Sequence, residues 1–487
     1  MAARTGAKYI ESLKRTRRDV WLRGRQITDV TTHPAFTQPI RHIARLYDMQ
    51  HDPRHREILT YPSPSTGQPV GTAFMMARSP ADLHKRRQAF QLWAEATFGL
   101  IGRTPDFVNT TLMAWAESPD VFGRLGPRFK DNVIRYYEHA RENDLFLTHA
   151  LITPQTDRSK SSAEQVDKFL HLGVVEETER GLVVRGARML VTQGPIVDDV
   201  LVFSLPGLKA GEEPYSMAFA IPVSTPGIRM ICREPFDEGG RSSFDHPLAT
   251  NFEEPDALMI FDDVLVPWDR VFLYGNLQLA NAMYLETSLR NHTAHQTSVR
   301  GIAKLELVIG TAIAVAEAVK SDGYLHVQNM LGEAIGMLEL AKSSVVRAEV
   351  EYSRSAAGTL CTGLTPLQHL RGFLPKAYPR AIEILQTIAA GGLLMLPSAA
   401  DFGSPIAGQV DRFYQGAGGL DAKERVKLFK LAWDLAGDAF GMRQLQYERY
   451  WVGDPYRLVA TNFLSYEHKA HCKSVVANAL AWAGEPG

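Results

Sequence analysis

Two short segments hold the residue types that chemistry needs: Gly102-Arg103-Thr104-Pro105-Asp106-Phe107, and Leu147-Thr148-His149 running on to Pro154. In the first, Thr104 is a good N-cap and Pro105 suits the first helical position, which leaves Arg103 just outside a helix N-terminus. Unpaired amides already make that corner positive. A guanidinium there gains nothing from the helix dipole and strengthens the attraction for an anion. His149 stands in a connector without helical period, broken by Pro154. Residue types alone leave both open: a turn arginine and a satisfied structural histidine fit these strings, and so do an anion-binding corner and a catalytic imidazole. Two further histidine pairs, His292 with His295 and His468 with His471, have the i, i+3 spacing that brings both onto one helical face. Glu467 and Cys472 flank the second pair, but a metal needs a further ligand, so both pairs read as polar helix surface and no metal is expected.

The elements around these residues change texture along the chain. Up to about residue 147 the pattern is helical. Ser79-Pro80-Ala81-Asp82 opens a helix on which Phe90, Trp93, Ala94, Thr97 and Ile101 recur at three- and four-residue spacing, ending at Gly102; the next runs through VNTTLMAWAES. From about 172 to 272 the segments GLVVRGARM, DVLVFSL, SMAFAIPV, GIRMICR and ALMIFDDVLVPW read as short strands without crossover helices, hence an antiparallel barrel or sandwich. Beyond 280 long amphipathic helices return, with Leu331, Ile335, Leu338, Val345 and Ala348 on one face, and Leu428, Ala432, Leu435 and Ala439 on another. The expected domains are 1–147, 148–278 and 279–487. Arg103 and His149 both fall at element junctions, and clefts between domains are favoured places for ligands.

Composition sets outer limits. The 487 residues carry 53 basic and 54 acidic side chains, so neither nucleic acid nor an anionic membrane is called for. Three distant cysteines, Cys232, Cys361 and Cys472, argue against a disulfide framework and for a reducing compartment, the cytoplasm by default. The N-terminus lacks the apolar core of a secretory signal, and LVIGTAIAVAEAV, which contains Glu317, reads as a buried helix rather than a membrane span. There is no G-x-G-x-x-G after a strand, no phosphate-loop motif, no G-x-S-x-G and no H-E-x-x-H; GAGGLD at 416–421 is a turn before a helix.

The strings GRTPDF, LTHALITPQTDR, VVRGARM, FDHPLAT, IFDDVLVPWDRVFLYGN and YERYWVGDPYR, with RTGAKYIESL and DVTTHPAF near the start, resemble the oxygenase component of two-component 4-hydroxyphenylacetate 3-monooxygenases over nearly the whole chain. The resemblance implies an α+β, acyl-CoA-dehydrogenase-like fold: an N-terminal helical domain, an antiparallel β-barrel middle and a C-terminal four-helix bundle, assembled as a homotetramer. It implies an enzyme that takes reduced FAD (FADH2) from a separate NAD(P)H-using flavin reductase and uses O2 to form a C4a-hydroperoxide that hydroxylates a phenol at the ortho carbon. By the same resemblance Arg103 stabilises the phenolic oxyanion while His149 hydrogen-bonds that oxygen and handles its proton. The flavin positions carried over are His149, Ile152, Gln155, Arg158, Met189, Thr192, Asp454 and Arg457. Thr192 then offers a hydroxyl to flavin N5, and Arg158 and Arg457 meet pyrophosphate or ribose oxygens.

The chain departs from the family at the substrate. Phe107 stands where the hydroxyphenylacetate enzymes have tyrosine, and Leu205-Pro206 where they have a Ser-Thr pair for the substrate carboxylate. The expected substrate is therefore a larger or less anionic phenol, including one tethered to a carrier, with the loop from Thr156 to Phe169 as its lid. Two other classes share such a fold. A flavin and iron-sulfur hydroxyacyl-CoA dehydratase needs cysteine ligands in the first domain, and none precedes Cys232. A non-catalytic flavin-binding or assembly protein is the other.

Overall fold

The computed structural model describes residues 3–355 and 357–484. Helix α1 (Pro80–Ala96) opens with the capping box expected from Ser79 and Asp82, the serine hydroxyl accepting from the Asp82 amide at 3.2 Å and the carboxylate accepting from the Ser79 amide at 3.0 Å. It stops at Ala96 rather than Gly102. Phe98 and Gly99 are both left-handed (φ 52° and 64°), and the Gly99 amide reaches back to the Ala94 carbonyl at 2.7 Å, a closure that ends the helix. Glycine is required there, because a Cβ on residue 99 would stand 2.5 Å from the Arg300 carbonyl oxygen. Helix α2 (Pro105–Glu117) follows, and every one of its residues is buried.

The middle of the chain forms two sheets. One runs β2-β1-β8-β9-β5-β4, made of β1 (Val20–Leu22), β2 (Arg25–Ile27), β4 (Gly173–Thr178), β5 (Gly181–Thr192), β8 (Ile228–Cys232) and β9 (Asp256–Pro267). The other runs β10-β7-β6-β3, made of β3 (Leu147–Ala150), β6 (Asp199–Phe203), β7 (Met217–Pro222) and β10 (Val271–Tyr274). Phe219 on β7 meets Phe261 on β9 edge to face at 6.3 Å, packing one sheet on the other. The pairing is antiparallel except for β1 with β8 and β3 with β6. The expectation of a purely helical start thus fails at residues 20–27: these strands are too short to show a period and exist because a preformed sheet edge takes them up.

Past the sheets lie α3 (Leu277–Glu286) and a bundle of α4 (Leu289–Ala318), α5 (Leu325–Val350), α6 (Leu364–Ala389) and α7 (Ala422–Ala436), followed by α8 (Ala439–Tyr450) and α9 (Pro455–Leu464). On α5 the buried row is Val327, Ala334, Leu338, Ala341, Val345 and Ala348; Leu331 is only half-buried and Ile335 is exposed, contrary to expectation. The small alanines face inward and let the helices approach closely, which an apolar-size pattern overlooks. Ala439 likewise leaves the face assigned to it, since Gly437 ends α7 and Ala439 starts α8. Among the described residues no helix is long and apolar enough to cross a membrane.

Two large apolar cores result. One joins the N-terminal helices to both sheets and includes Phe107 and Val108; the other fills the bundle and includes Leu100 and Ile101. Arg103 sits on the seam between them. The seam is fastened from the bundle side by Glu448 on α8, which receives Arg300 at 2.7 and 3.1 Å and Lys304 at 2.8 Å, all three side chains buried. Arg300 also donates to the Gly99 carbonyl at 2.9 Å. Removing the shared carboxylate leaves two buried cations without an acid, so Glu448→Ala is expected to cost about 3–5 kcal/mol, read as a lower urea midpoint; an unchanged midpoint would show the pair to be dispensable.

Candidate active site

Arg103 brings the two chemical segments together. Its Nε–H donates to His149 Nε2 at 3.0 Å, and its Nη1 donates to the Tyr447 hydroxyl at 2.5 Å and the Gly102 carbonyl at 3.1 Å. The guanidinium lies 4.3 Å from the centroid of the Phe107 ring, which meets the His149 ring edge to face at 5.6 Å. Residue 102 must be glycine, since a Cβ there would overlap the Tyr447 hydroxyl. Thr104 is at the N-cap, but its hydroxyl caps no amide and donates instead to Asp106.

The charge of this buried arginine is not spent on a carboxylate. Glu254 accepts from the Arg103 backbone amide at 3.0 Å, and its other oxygen takes Arg443 at 2.7 Å. Every acceptor of the guanidinium among the described residues is neutral, and Nη2 makes no bond to them. The histidine's state follows. Because Nε2 accepts from Arg103, the neutral ring carries its hydrogen on Nδ1, which is buried and unpartnered. Burial and the adjacent guanidinium push its pKa well below the usual histidine value, so the neutral form prevails. The pair therefore offers two uncommitted donors beside a positive charge, the constellation that stabilises an oxyanion. In this tautomer the free Nδ1–H of His149 is available to donate a hydrogen bond.

His149 belongs to β3, opposite Leu201 on the parallel strand β6. Leu205 and Pro206 follow β6 beyond its end at Phe203, outside the strand. Leu205 is exposed and Pro206 half-buried, and the turn after them is pinned to α3 by Asn281, which accepts from the Gly207 and Leu208 amides at 2.8 and 3.0 Å. On β5, Met189 bridges Ile152 at 2.9 Å, and a register shift against β9 leaves Leu190 exposed with φ 55°. Such a bulge turns the strand end toward the connector. Thr192 is buried opposite Asp256, to which its hydroxyl donates at 2.7 Å. Gln155 and Arg158 are exposed; Asp454 caps α9 through the Tyr456 amide at 2.8 Å, and Arg457 is exposed on the same helix. The Thr156–Phe169 loop is tied internally by Gln165, which meets Thr156 at 2.8 Å and the Asp157 carbonyl at 2.9 Å.

Several residues that reading the sequence passed over complete the site. Tyr447 and Arg443 lie one helical turn apart on α8, and Glu254 and Asp256 follow FDHPLAT. Only i, i+4 spacing and an acid-rich EEPD hinted at either. Arg188, buried on β5, donates one bond to the Leu151 carbonyl at 2.9 Å, while its Nε is unpartnered. Burial lowers its pKa to about 10. Near it, the buried hydroxyl of Tyr284 has no partner, and Arg290, Arg371 and Arg457 face one another, lowering Arg371 to about 10 through burial and mutual repulsion. Cations gathered without acids, beside orphaned donors, suit a polyanionic ligand.

The His292 and His295 pair is not helix surface. Both rings are buried: Arg86 meets His292 Nδ1 at 3.0 Å, Glu117 meets its Nε2 at 3.3 Å, and His295 meets Glu349 at 3.0 Å. Cys361 joins Glu117 at 3.3 Å. Glu117, His292 and Cys361 have the spacing of a metal site, but Arg86 can only donate, so Nε2 bears the hydrogen and has no lone pair for an ion. His468 and His471 are exposed around the start of the helix Lys469–Leu480.

Comparison with known proteins adds independent findings. The family models described as 4-hydroxyphenylacetate 3-hydroxylase N terminal and C terminal match residues 5–273 and 280–480. A 4-hydroxyphenylacetate 3-monooxygenase oxygenase component from Thermus thermophilus is 46% identical, covering 98% of this chain and 97% of the relative. A Streptomyces globisporus monooxygenase named for a 3-amino-3-(3-chloro-4-hydroxyphenyl)propanoyl group on a peptidyl carrier protein is 34% identical, covering 92% and 85%. Among solved structures, a 4-hydroxyphenylacetate 3-monooxygenase oxygenase component complexed with FAD superposes with a TM-score of 0.93 at 46% identity, covering 98% of both chains. The same fold is found in an archaeal 4-hydroxybutyryl-CoA dehydratase, which superposes with a TM-score of 0.88 at 21% identity.

Asp106, between Arg103 and Phe107, makes a testable electrostatic signature. One oxygen takes Thr104 and Gln296; the other is buried without a partner, and burial raises the pKa to about 6 from 3.8. The folded chain then holds a proton that the unfolded chain has lost between about pH 4 and 6, so stability falls as pH rises through that window and the full cost is present above it. Asp106→Asn is expected to match the unmodified protein near pH 4 and exceed it by about 1–3 kcal/mol at pH 8, measured by urea unfolding across pH; the same slope in both would place the titration elsewhere.

Proposed function

The chain belongs to the 4-hydroxyphenylacetate 3-hydroxylase family, and from that premise we propose that it is the oxygenase component of a two-component, reduced-FAD-dependent monooxygenase that hydroxylates a phenol ortho to its oxygen. One observation carries the reading: a buried guanidinium, free of any carboxylate, bonded to a neutral imidazole whose remaining N–H is unpartnered. An unperturbed phenol ionises near 10. A hydrogen-bond donor and a positive charge at its oxygen favour the phenolate, which pushes electron density to the ortho carbon. Phe107 packs against both groups and shields them from water without a hydrogen bond of its own.

The orphaned donors and the acid-free arginines fit FAD. His149, Ile152, Gln155, Arg158, Met189, Thr192, Asp454 and Arg457 are the flavin positions we propose, with Arg290 and Arg371 joining Arg457 near the phosphates. Reduced FAD, when bound, supplies the electrons that activate O2 for transfer of one oxygen atom to the ring. The chain's own part is to place the phenol, hold its oxygen anionic and keep water from the junction. A separate NAD(P)H-flavin reductase supplies the cofactor in this reading. Homotetrameric assembly is part of the proposal, supported by exposed apolar side chains on the bundle such as Leu325, Leu340, Leu394 and Phe413; so is a cytoplasmic site of action.

We further infer a substrate larger or less anionic than 4-hydroxyphenylacetate. Leu205 and Pro206 put apolar surface where a carboxylate would need hydroxyls, and a carrier-tethered phenol fits that surface. Its test is a screen of free and carrier-linked phenols with FAD, NADH, a flavin reductase and O2, read by product mass; absence of a hydroxylated product from every phenol would overturn the assignment. Arg103→Ala is expected to cut hydroxylation by about 100- to 1,000-fold while reduced-FAD affinity holds. Arg371→Ala is expected to weaken FAD by about tenfold and leave riboflavin unaffected, measured by equilibrium titration; equal losses for both would remove the phosphates from this cluster.

A further inference from the structure

Thr192 has a commitment that the flavin reading does not require. Its hydroxyl has one hydrogen, and that hydrogen is given to Asp256 Oδ1 at 2.7 Å. Asp256 cannot return the favour: its oxygens also receive Arg443 at 3.0 Å each and Arg233 at 2.9 Å, so it stays an ionised carboxylate and only accepts. The arrangement is rigid. Thr192 and Asp256 stand directly opposite on β5 and β9, and Arg443 is fixed at its other end by Glu254, the same acid that holds the Arg103 amide. What Thr192 has left to offer a ligand is oxygen lone pairs.

We infer that Asp256 is a positioning residue that makes the Thr192 hydroxyl a pure hydrogen-bond acceptor, so that this strand end takes a ring N–H and repels a bare ring nitrogen. The inference rests on the proposal that Thr192 faces flavin N5. Reduced flavin carries hydrogen on N5 and satisfies the acceptor; oxidised flavin presents a lone pair there and does not. The site then discriminates between redox states of one ligand by the direction of one hydrogen bond, and it sheds the oxidised form when the reaction is over.

The experiment is an anaerobic equilibrium titration, with no turnover involved. The unmodified protein is expected to bind reduced FAD at least about tenfold tighter than oxidised FAD. It is also expected to bind oxidised 5-deaza-FAD, which has C–H in place of N5, several-fold tighter than oxidised FAD, because a lone-pair clash disappears; a hydroxyl that donated to N5 would give the opposite order. In Asp256→Asn the arginines hold the amide oxygen and turn the NH2 toward Thr192, which frees the hydroxyl hydrogen for the ligand. That variant should lose most of the preference, as should Thr192→Val, while Thr192→Ser keeps it. Equal or weaker binding of the deaza analogue, or a preference retained in Asp256→Asn, overturns the role of Asp256. Unchanged constants for every ligand in Thr192→Val would instead show that residue 192 is not at N5, a failure of the placement beneath. The deaza comparison needs no variant and decides the matter even if Asp256→Asn does not fold.

Discussion

A buried arginine whose charge is left unneutralised organises this molecule. Placing a guanidinium at a seam away from water is expensive unless carboxylates meet it, and here Glu254 meets the backbone amide of Arg103 instead. The imidazole, phenol and carbonyl around Arg103 satisfy its Nε and Nη1 hydrogens without cancelling its charge. That leaves a standing positive potential at the junction of the two cores, where a ligand oxygen can use it.

The ionic chain behind the site explains how such a charge is held still. Arg103, Glu254, Arg443, Asp256 and Thr192 form an unbroken line of bonds from α2's N-terminus across α8 to the end of β5. Along this line each acid has at least two donors, and Arg443 meets two acids where Arg103 meets none. Reach and orientation are shared between three parts of the chain, so the substrate side and the strand end move as one body. A second buried set, Arg300, Lys304 and Glu448, clamps the same helix α8 to the bundle one turn away.

The cations near Tyr284 follow the other logic. Arg290, Arg371 and Arg457 repel one another, and none of them pairs with an acid among the described residues. Stability and binding are opposed at this spot, as is common where a site must be ready for a polyanion.

Local signals were enough to read the helix start at Ser79, the joint at Arg103, the strand-rich middle and the helical bundle, because capping chemistry and hydrophobic period act within a few residues. The same signals misplaced the end of α1, missed the strands at 20–27 and put Ile335 inward, since those outcomes turn on a left-handed closure, a borrowed sheet edge and close packing through alanine. The sequence by itself determined that Arg103 and His149 lie at element junctions. Only the tertiary structure decided that they touch, that Glu254 is diverted from the guanidinium, that His149 keeps its hydrogen on Nδ1, and that His292 is buried in an ionic pocket rather than on a surface. Tautomer, charge pairing and the direction of a hydroxyl depend on partners between about 50 and 350 residues away along the chain, and no local pattern encodes them.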